Sequence, residues 1–497
     1  MMKGFGDKEK SKKKRIISNE NKEFNKKLLI NKAFQLQAQG NKLEAAKYYS
    51  YLIKHGLEDC RVFSNYGTFL KEIGKYKEAE LELKKAIKLN PRYANAYYNL
   101  AGIYLDKGDL YEAEVFLRKA IEIKSDFSIA HYNLGFILIN KGKLQDAKLY
   151  IEKSLEIDPQ LTDAYLSVST MHETDKNQKW QKQLFSENIL NNKNSKELVN
   201  IFFARANILH KKSKYEESAE NLLRANNLKM SMYKSEAKIL IQKTNKLKIS
   251  SNNFQSNYED IPNYPMSIFI VGLPRCGSTL VESIISLNSQ VTDLGEVNIF
   301  EDSYREYIQS GKKVNLAEIY KKNSRILDNK SNITTNKWLF NYQYAGIIAS
   351  TIPNAKIIHC FRNPLDNILS IYRAHFSKGN SFSSSLIDCA EVYSDQEEIM
   401  KTYKKEFRSQ IYDLNYDELV TNPLREIKSL IKWLGWEWND AYLSPHLNKR
   451  SVFTRSNVEI RSPINSKSVG GWRNYRDMLK PAIAIIGKIE KYKKLIT

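Results

Sequence analysis

Beginning at Met266, the stretch MSIFIVGLPRCGSTLVESI joins an apolar run, a glycine-bounded loop and a helix-forming run. A strand, loop and helix in this order aim successive backbone N–H groups and a helix N-terminus at one point, which suits a phosphate oxygen. Arg275 adds a full positive charge, and the cradle consists of Pro274, Arg275, Cys276, Gly277, Ser278 and Thr279. Gly272, four intervening residues and Gly277-Ser278-Thr279 nearly fit a Walker A loop. That loop needs lysine directly after its second glycine, to reach the β- and γ-phosphates. Ser278 stands there instead, so the expectation is a loop that holds a phosphate without the group that works on a nucleoside triphosphate.

VGLPRCGSTL resembles the 5′-phosphosulfate loop of the sulfotransferases that use 3′-phosphoadenosine 5′-phosphosulfate (PAPS). Within them it most resembles the tyrosylprotein sulfotransferases and their bacterial relatives fused to tetratricopeptide repeats. The resemblance covers roughly residues 266–497. It implies transfer of a sulfuryl group from PAPS to a hydroxyl or amine acceptor, leaving adenosine 3′,5′-bisphosphate, with no metal. In CFRNPLDNILSIYR, Arg362 and Ser370, eight residues apart, look like the family's 3′-phosphate site. A guanidinium fork and a hydroxyl suit phosphate, and the chain must bend at Pro364 for the two to converge. Glu296, in VTDLGEVNIFED, lies 21 residues after Arg275, as the catalytic glutamate does in the tyrosylprotein enzymes. It is the implied base that takes the acceptor's proton while oxygen attacks sulfur in line; His375 is the next candidate. Lys337, in TTNKWLFN, resembles the lysine that stabilises the leaving phosphate alongside Arg275. Tyr416 in YDELVTNP and Ser456 in TRSNVEIRSPIN match nucleotide-contacting positions. SVGGWRNY, residues 468–475, looks like the family's closing segment, from which Arg473 would meet a phosphate.

Three departures qualify the resemblance. Cys276 replaces the usual serine, losing a hydroxyl but no backbone N–H. Gly471 replaces a basic residue, for which Lys467 or Arg473 would compensate. Asn298 and Asp302 stand where tyrosylprotein enzymes carry arginines that grip acidic residues around the target tyrosine. An acidic tyrosine peptide is therefore disfavoured, and the acceptor is a protein, a glycan, a lipid or a small alcohol.

Apolar runs that lead into helical patterns, AKIIHCF at 355–361 and QIYDLNY at 410–416, point to an α/β domain with a mainly parallel sheet. Ligands in such sheets bind beyond the carboxyl ends of strands, here the loops after Val271 and Phe361.

Upstream, Gly40, Gly74, Gly108 and Gly142 recur every 34 residues, and Ala45, Ala79, Ala113 and Ala147 keep the same offset. Asn65, Asn99 and Asn133 share the period, as do Tyr97, His131 and Tyr165. This is the tetratricopeptide signature, an all-α solenoid of helix pairs. Each glycine ends a first helix in the left-handed region, each alanine marks a close helix approach, and Pro91 and Pro159 follow second helices. Residues 195–229 read as a divergent unit, with Tyr215 and Ala219 taking the places of Tyr76 and Ala79 to within about one residue. The expected organisation is a disordered basic tail (1–25), repeats (26–175), a divergent helical region (176–242), a connector (243–264) and a P-loop-like sulfotransferase domain (265–497). The repeats would recruit a substrate, peptide or protein partner, or serve as a platform or homodimer surface.

At 497 residues the chain is long enough for two or three domains. Its net charge of +22 suits an anionic partner, but the lysines are dispersed except for KSKKKR at 10–15. With no combined aromatic and basic motif, nucleic acid is not an expected partner. Cys60, Cys276, Cys360 and Cys389 are too scattered for a zinc or disulfide framework, which suits a reducing compartment, the cytoplasm. No apolar run reaches about 18 residues, so no membrane span is expected, nor does the N-terminal stretch read as a signal peptide or a Golgi-type anchor. Two other readings compete: a repeat scaffold with an inactive sulfotransferase-like domain, and a P-loop kinase or NTPase. The joint presence of Arg275, Glu296, Lys337, Arg362 and Ser370 speaks against the first, and the missing Walker lysine against the second.

Overall fold

The computed structural model describes residues 25–171, 179–252, 254, 264–327, 332–376, 379–448, 450 and 458–493. The basic run at 10–15 and Ser456 lie outside the described residues. Two compact units result, one running to Ala164 and the other from Tyr165, with residues 140–142 grouped with the second.

The first unit is a series of antiparallel helix pairs, including Cys60–Glu72 with Tyr76–Leu89 and Ala94–Asp106 with Leu110–Ile123. Gly40, Gly74, Gly108 and Gly142 have φ of 81°, 78°, 78° and 76°, each just past a first helix. Ala79, Ala113 and Ala147 are fully buried. The close approach is quantitative at Gly67, where a Cβ would meet Leu83 Cγ at 2.8 Å and the Ala79 carbonyl at 3.1 Å. The periodic polar residues repeat their bonds. Tyr97 donates to the Pro91 carbonyl at 3.2 Å, and His131 Nε2 lies 2.9 Å from the Ser125 carbonyl, one period on. Asn65, Asn99 and Asn133 each donate across to the preceding repeat, to Tyr49, Ser64 and Tyr98.

The second unit is built on a five-stranded, all-parallel sheet in the order β2-β3-β1-β4-β5. Its strands are β1 (Met266–Gly272), β2 (Val291–Asp293), β3 (Ile333–Asn336), β4 (Ala355–Phe361) and β5 (Ile411–Asn415). Alternation along central β1 serves both faces. Ile268 and Ile270 pack with Val281, Ile284 and Ile285 of the helix Ser278–Ile285. Phe269 and Val271 join the core on the other face. The chain crosses from β3 over β1 to β4, so the loops after β1 and β4 open at the switch point where such sheets bind ligands.

Helices Ser195–Lys211, Tyr215–Met232 and Ala237–Ser251 belong to this unit, since Val199, Phe203, Leu222 and Leu247 share a core with Phe269 and Val271. One sequence expectation changes here. Residues 243–251 of the expected connector are helical, because Leu247 and Thr244 are buried and Gln343 donates to Thr244 Oγ1 (2.9 Å) and the Leu240 carbonyl (3.0 Å). In the divergent pair the fully buried position is Ser218, one residue from Ala219, and its hydroxyl donates to the Ala206 carbonyl. Among the described residues no helix is long and apolar enough to cross a membrane.

Candidate active site

The β1 loop is shaped by three residues with positive φ: Gly272 (148°), Arg275 (67°) and Gly277 (94°). The glycines are sterically required. A Cβ on Gly272 would stand 2.4 Å from the Cys360 carbonyl, and one on Gly277 would stand 2.2 Å from the Tyr416 ring. Arg275 has no such licence, and a left-handed non-glycine residue costs energy that its surroundings must supply. Asn367 helps, donating its amide to the Pro274 carbonyl at 3.0 Å. The turn sends the Arg275 guanidinium to Ser370 Oγ (Nε, 3.1 Å) and to the Glu459 carboxylate (Nη2, 2.5 Å). Ser278 and Thr279 open the loop helix and are buried. Cys276 is buried with Cys360. A hydrogen bond from Cys360 holds its thiol below the ordinary value, while burial pushes the Cys360 thiol well up.

At the end of β4, Asn363 caps the helix Pro364–Arg373 by accepting from the Leu365 and Asp366 N–H groups, and Pro364 takes the first turn. Arg362, buried just before the cap, donates to the Ser468 carbonyl at 2.9 Å and lies 3.6 Å from Asp417. Its guanidinium sits 4.7 Å from the Tyr416 ring centre. Tyr416 therefore ties the two loops together, touching Gly277 with one part of its ring and Arg362 with another. Ser370 meets Arg275 of the first loop, and no hydrogen bond joins it to Arg362. The closing segment is pinned by Asp366, which accepts from Gly470 N (2.7 Å) and Trp472 N (2.9 Å). Burial pushes the Asp366 carboxyl above its ordinary value, against the pull of these two N–H groups and Arg362. Arg473 is exposed and lies over the Trp472 ring at 5.2 Å.

Glu296 and Lys337 are brought together by short strands. Leu294 N donates to the Thr335 carbonyl, Lys337 N to the Gly295 carbonyl and the Asn336 amide to the Val297 carbonyl, stitching residues 294–297 to the end of β3. Lys337 Nζ then lies 2.7 Å from Glu296 Oε1 and 3.4 Å from Glu282 Oε2. The lysine is buried (1% of its side chain exposed), whereas Glu296 is half-exposed (45%). Burial would lower the Lys337 pKa, but Glu282 and Glu296 outweigh it and raise it. Such a pair offers a charged lysine and an accessible carboxylate at one point. His375 lies edge-on to Phe203 at 5.1 Å. Asn298 donates to Glu301, and Asp302 pairs with Arg305 at 3.0 Å, so the nearby arginine is bound to its own helix.

Sequence reading missed Glu282, Asp366, Asn367, Glu459 and Ser468. All five lie inside motifs read from the sequence, with nothing local to single them out. Among the described residues no group of three or more His, Cys, Asp or Glu side chains is placed to hold a metal ion.

A model of the sulfotransferase family matches residues 313–440, a range that holds Lys337, Arg362, Ser370 and Tyr416. Repeat models, described as TPR repeat or tetratricopeptide repeat, match residues 69–108, 94–127 and 128–161. The chain thus carries tetratricopeptide repeats followed by a sulfotransferase-family domain, with distant similarity to the tyrosylprotein sulfotransferases. It is 29% identical over 320 residues to an uncharacterized protein of Aquifex aeolicus (strain VF5), covering 59% of this chain and 42% of that one. To protein-tyrosine sulfotransferase 1 of Danio rerio it is 24% identical over 234 residues, covering 41% of this chain and 65% of the relative. The chain therefore spans less than two thirds of either relative's length. The sulfotransferase domain from the curacin biosynthetic pathway aligns with 14% identity and a TM-score of 0.34, over 45% of this chain and 97% of that domain.

Proposed function

We propose that the second unit transfers a sulfuryl group from PAPS to a hydroxyl or amine acceptor. The observation that carries this reading is the buried Lys337 at 2.7 Å from the half-exposed Glu296, joined through Glu282 to the helix of the β1 loop. The acceptor oxygen attacks sulfur, and its proton passes to Glu296. The bond from sulfur to the bridging oxygen breaks, and its electron pair stays on the 5′-phosphate of the departing adenosine 3′,5′-bisphosphate. Arg275 and Lys337 supply positive charge where that negative charge grows. The β1 loop receives the 5′-phosphosulfate, and Arg362 with Tyr416 holds the nucleotide at the end of β4. Arg275 and Ser370 being hydrogen-bonded fits a nucleotide gripped at both phosphates across a short span. The repeats recruit a protein acceptor or partner, and the four free cysteines suit work in the cytoplasm. The test is turnover of PAPS against a panel of protein, glycan, lipid and small-alcohol acceptors, beside magnesium ATP. Release of the bisphosphate with label on an acceptor is expected. Hydrolysis of ATP with no use of PAPS overturns the reading in favour of an NTPase.

A further inference from the structure

Glu282 takes part in no step of the scheme above, although it touches one of its central groups. It sits on the loop helix with 2% of its side chain exposed. Oε2 lies 2.9 Å from Arg450 Nη2 and 3.4 Å from Lys337 Nζ, and Oε1 is buried without a hydrogen bond among the described residues. A buried carboxylate is costly unless cations offset it. Arg450 also pairs with Asp293 at the end of β2, so it shares its charge between two carboxylates. Lys337 stands between two carboxylates of opposite exposure, Glu282 at 2% and Glu296 at 45%.

This arrangement answers a difficulty in the reaction. Lys337 Nζ donates to Glu296 Oε1 at 2.7 Å and occupies that oxygen until the lysine moves away from it. A buried ammonium that leaves its counter-charge needs another. Building on the sulfotransferase reading, we propose that Glu282 is a positioning residue that holds the Lys337 ammonium while it exchanges Glu296 for the bridging oxygen of PAPS. Glu296 is then free to take the acceptor's proton. The groups facing Lys337 are Glu296 from the turn after β2, Glu282 from the loop helix and the Cys360 thiol from β4, with Arg450 and Asp293 behind Glu282. Because both carboxylates raise the Lys337 pKa against burial, removing the charge of Glu282 lowers it.

The experiment compares the full chain with its Glu282→Gln and Glu282→Asp variants. Binding of adenosine 3′,5′-bisphosphate is measured by calorimetry. Turnover is measured as bisphosphate released from PAPS alone, water serving as acceptor, across a pH series. In Glu282→Gln the bisphosphate affinity is expected to stay within about threefold, while kcat falls about 10- to 100-fold. The alkaline limb of its profile moves to lower pH, a shift that loss of packing alone would not produce. Glu282→Asp keeps the charge, so its limb stays in place while kcat falls less. A Gln variant with wild-type kcat and an unmoved limb overturns the proposal. Should the Gln variant not fold, wild-type kcat in the Asp variant overturns it equally. Failure of the wild-type chain to bind the bisphosphate would instead sink the sulfotransferase reading itself.

Discussion

The two units solve the problem of placing polar side chains in opposite ways. In the repeat unit one solution is copied: Asn99 and Asn133 each donate to a residue 35 positions back, Asn65 donates to Tyr49 of the preceding helix, and Ala79, Ala113 and Ala147 are all fully buried. Each contact spans one repeat or less, from 16 residues for Asn65 and Tyr49 to 35 for Asn99 and Ser64. In the α/β unit nothing is copied. Arg275 reaches Ser370 across 95 residues and Glu459 across 184, and Glu282 reaches Arg450 across 168. The repeats therefore hold a scaffold through local, redundant contacts, whereas the site depends on single contacts that only the parallel sheet brings together.

That contrast orders the expected effects of substitution. Glu296→Gln should leave bisphosphate binding intact and reduce transfer from PAPS by about 100- to 1,000-fold; turnover near wild type would assign the base elsewhere. Arg275→Ala should weaken bisphosphate binding about 100-fold by calorimetry, in line with loss of charge-assisted hydrogen bonds. The same variant should leave the unfolding of the repeats unchanged, and a joint loss would erase the distinction drawn here. Ala113→Leu should do the reverse. It overpacks a fully buried position at a cost of about 1–3 kcal/mol in a denaturant melt, with unchanged bisphosphate affinity. The smallest effect is expected at Glu459, which occupies Arg275 Nη2 at 2.5 Å while 61% of its side chain is exposed. Glu459→Gln should tighten bisphosphate binding about two- to threefold, because a competing carboxylate is removed from the guanidinium; weaker binding would make Glu459 a contributor instead.

Acid should act on both units alike, which bounds the contrast. Lys107 and Lys84 hold Glu80 of the repeats down to about 2. Against burial, His359 and Lys404 hold Asp413 of β5 down to about 2 as well. A depressed carboxylate stabilises the fold above its unfolded pKa, so both contributions fade as pH falls from about 4 toward 2. Circular dichroism during acid titration should show both units losing stability in that window.

What the sequence made legible follows the same division. Period 34 exposed the repeats because local contacts leave local patterns. Strands β1, β4 and β5 were legible as apolar runs, but β2 (VTD) and β3 (ITTN) are too short and polar to pattern. Residues 243–251 read together with the Asn-, Ser- and Pro-rich stretch that runs to 264, while burial of Thr244 and Leu247 against the α/β core makes them helical. Arg275, Glu296, Lys337, Arg362 and Ser370 were chosen by motif, yet their pairing was not readable. The hydrogen bond that Ser370 accepts from Arg275, 95 residues away, had no counterpart in the Arg362 and Ser370 motif. Glu282 looked like any glutamate on a helix face, since its partners Lys337 and Arg450 arrive from other parts of the sheet.

The most direct measurement is a calorimetric titration of the full chain with adenosine 3′,5′-bisphosphate, run beside magnesium ATP. A Kd of about 10 μM or tighter for the bisphosphate, with ATP much weaker, is the expected result. Binding of magnesium ATP in preference to the bisphosphate, or of neither, would contradict the assignment of the β1 loop and Arg362 to a sulfonucleotide.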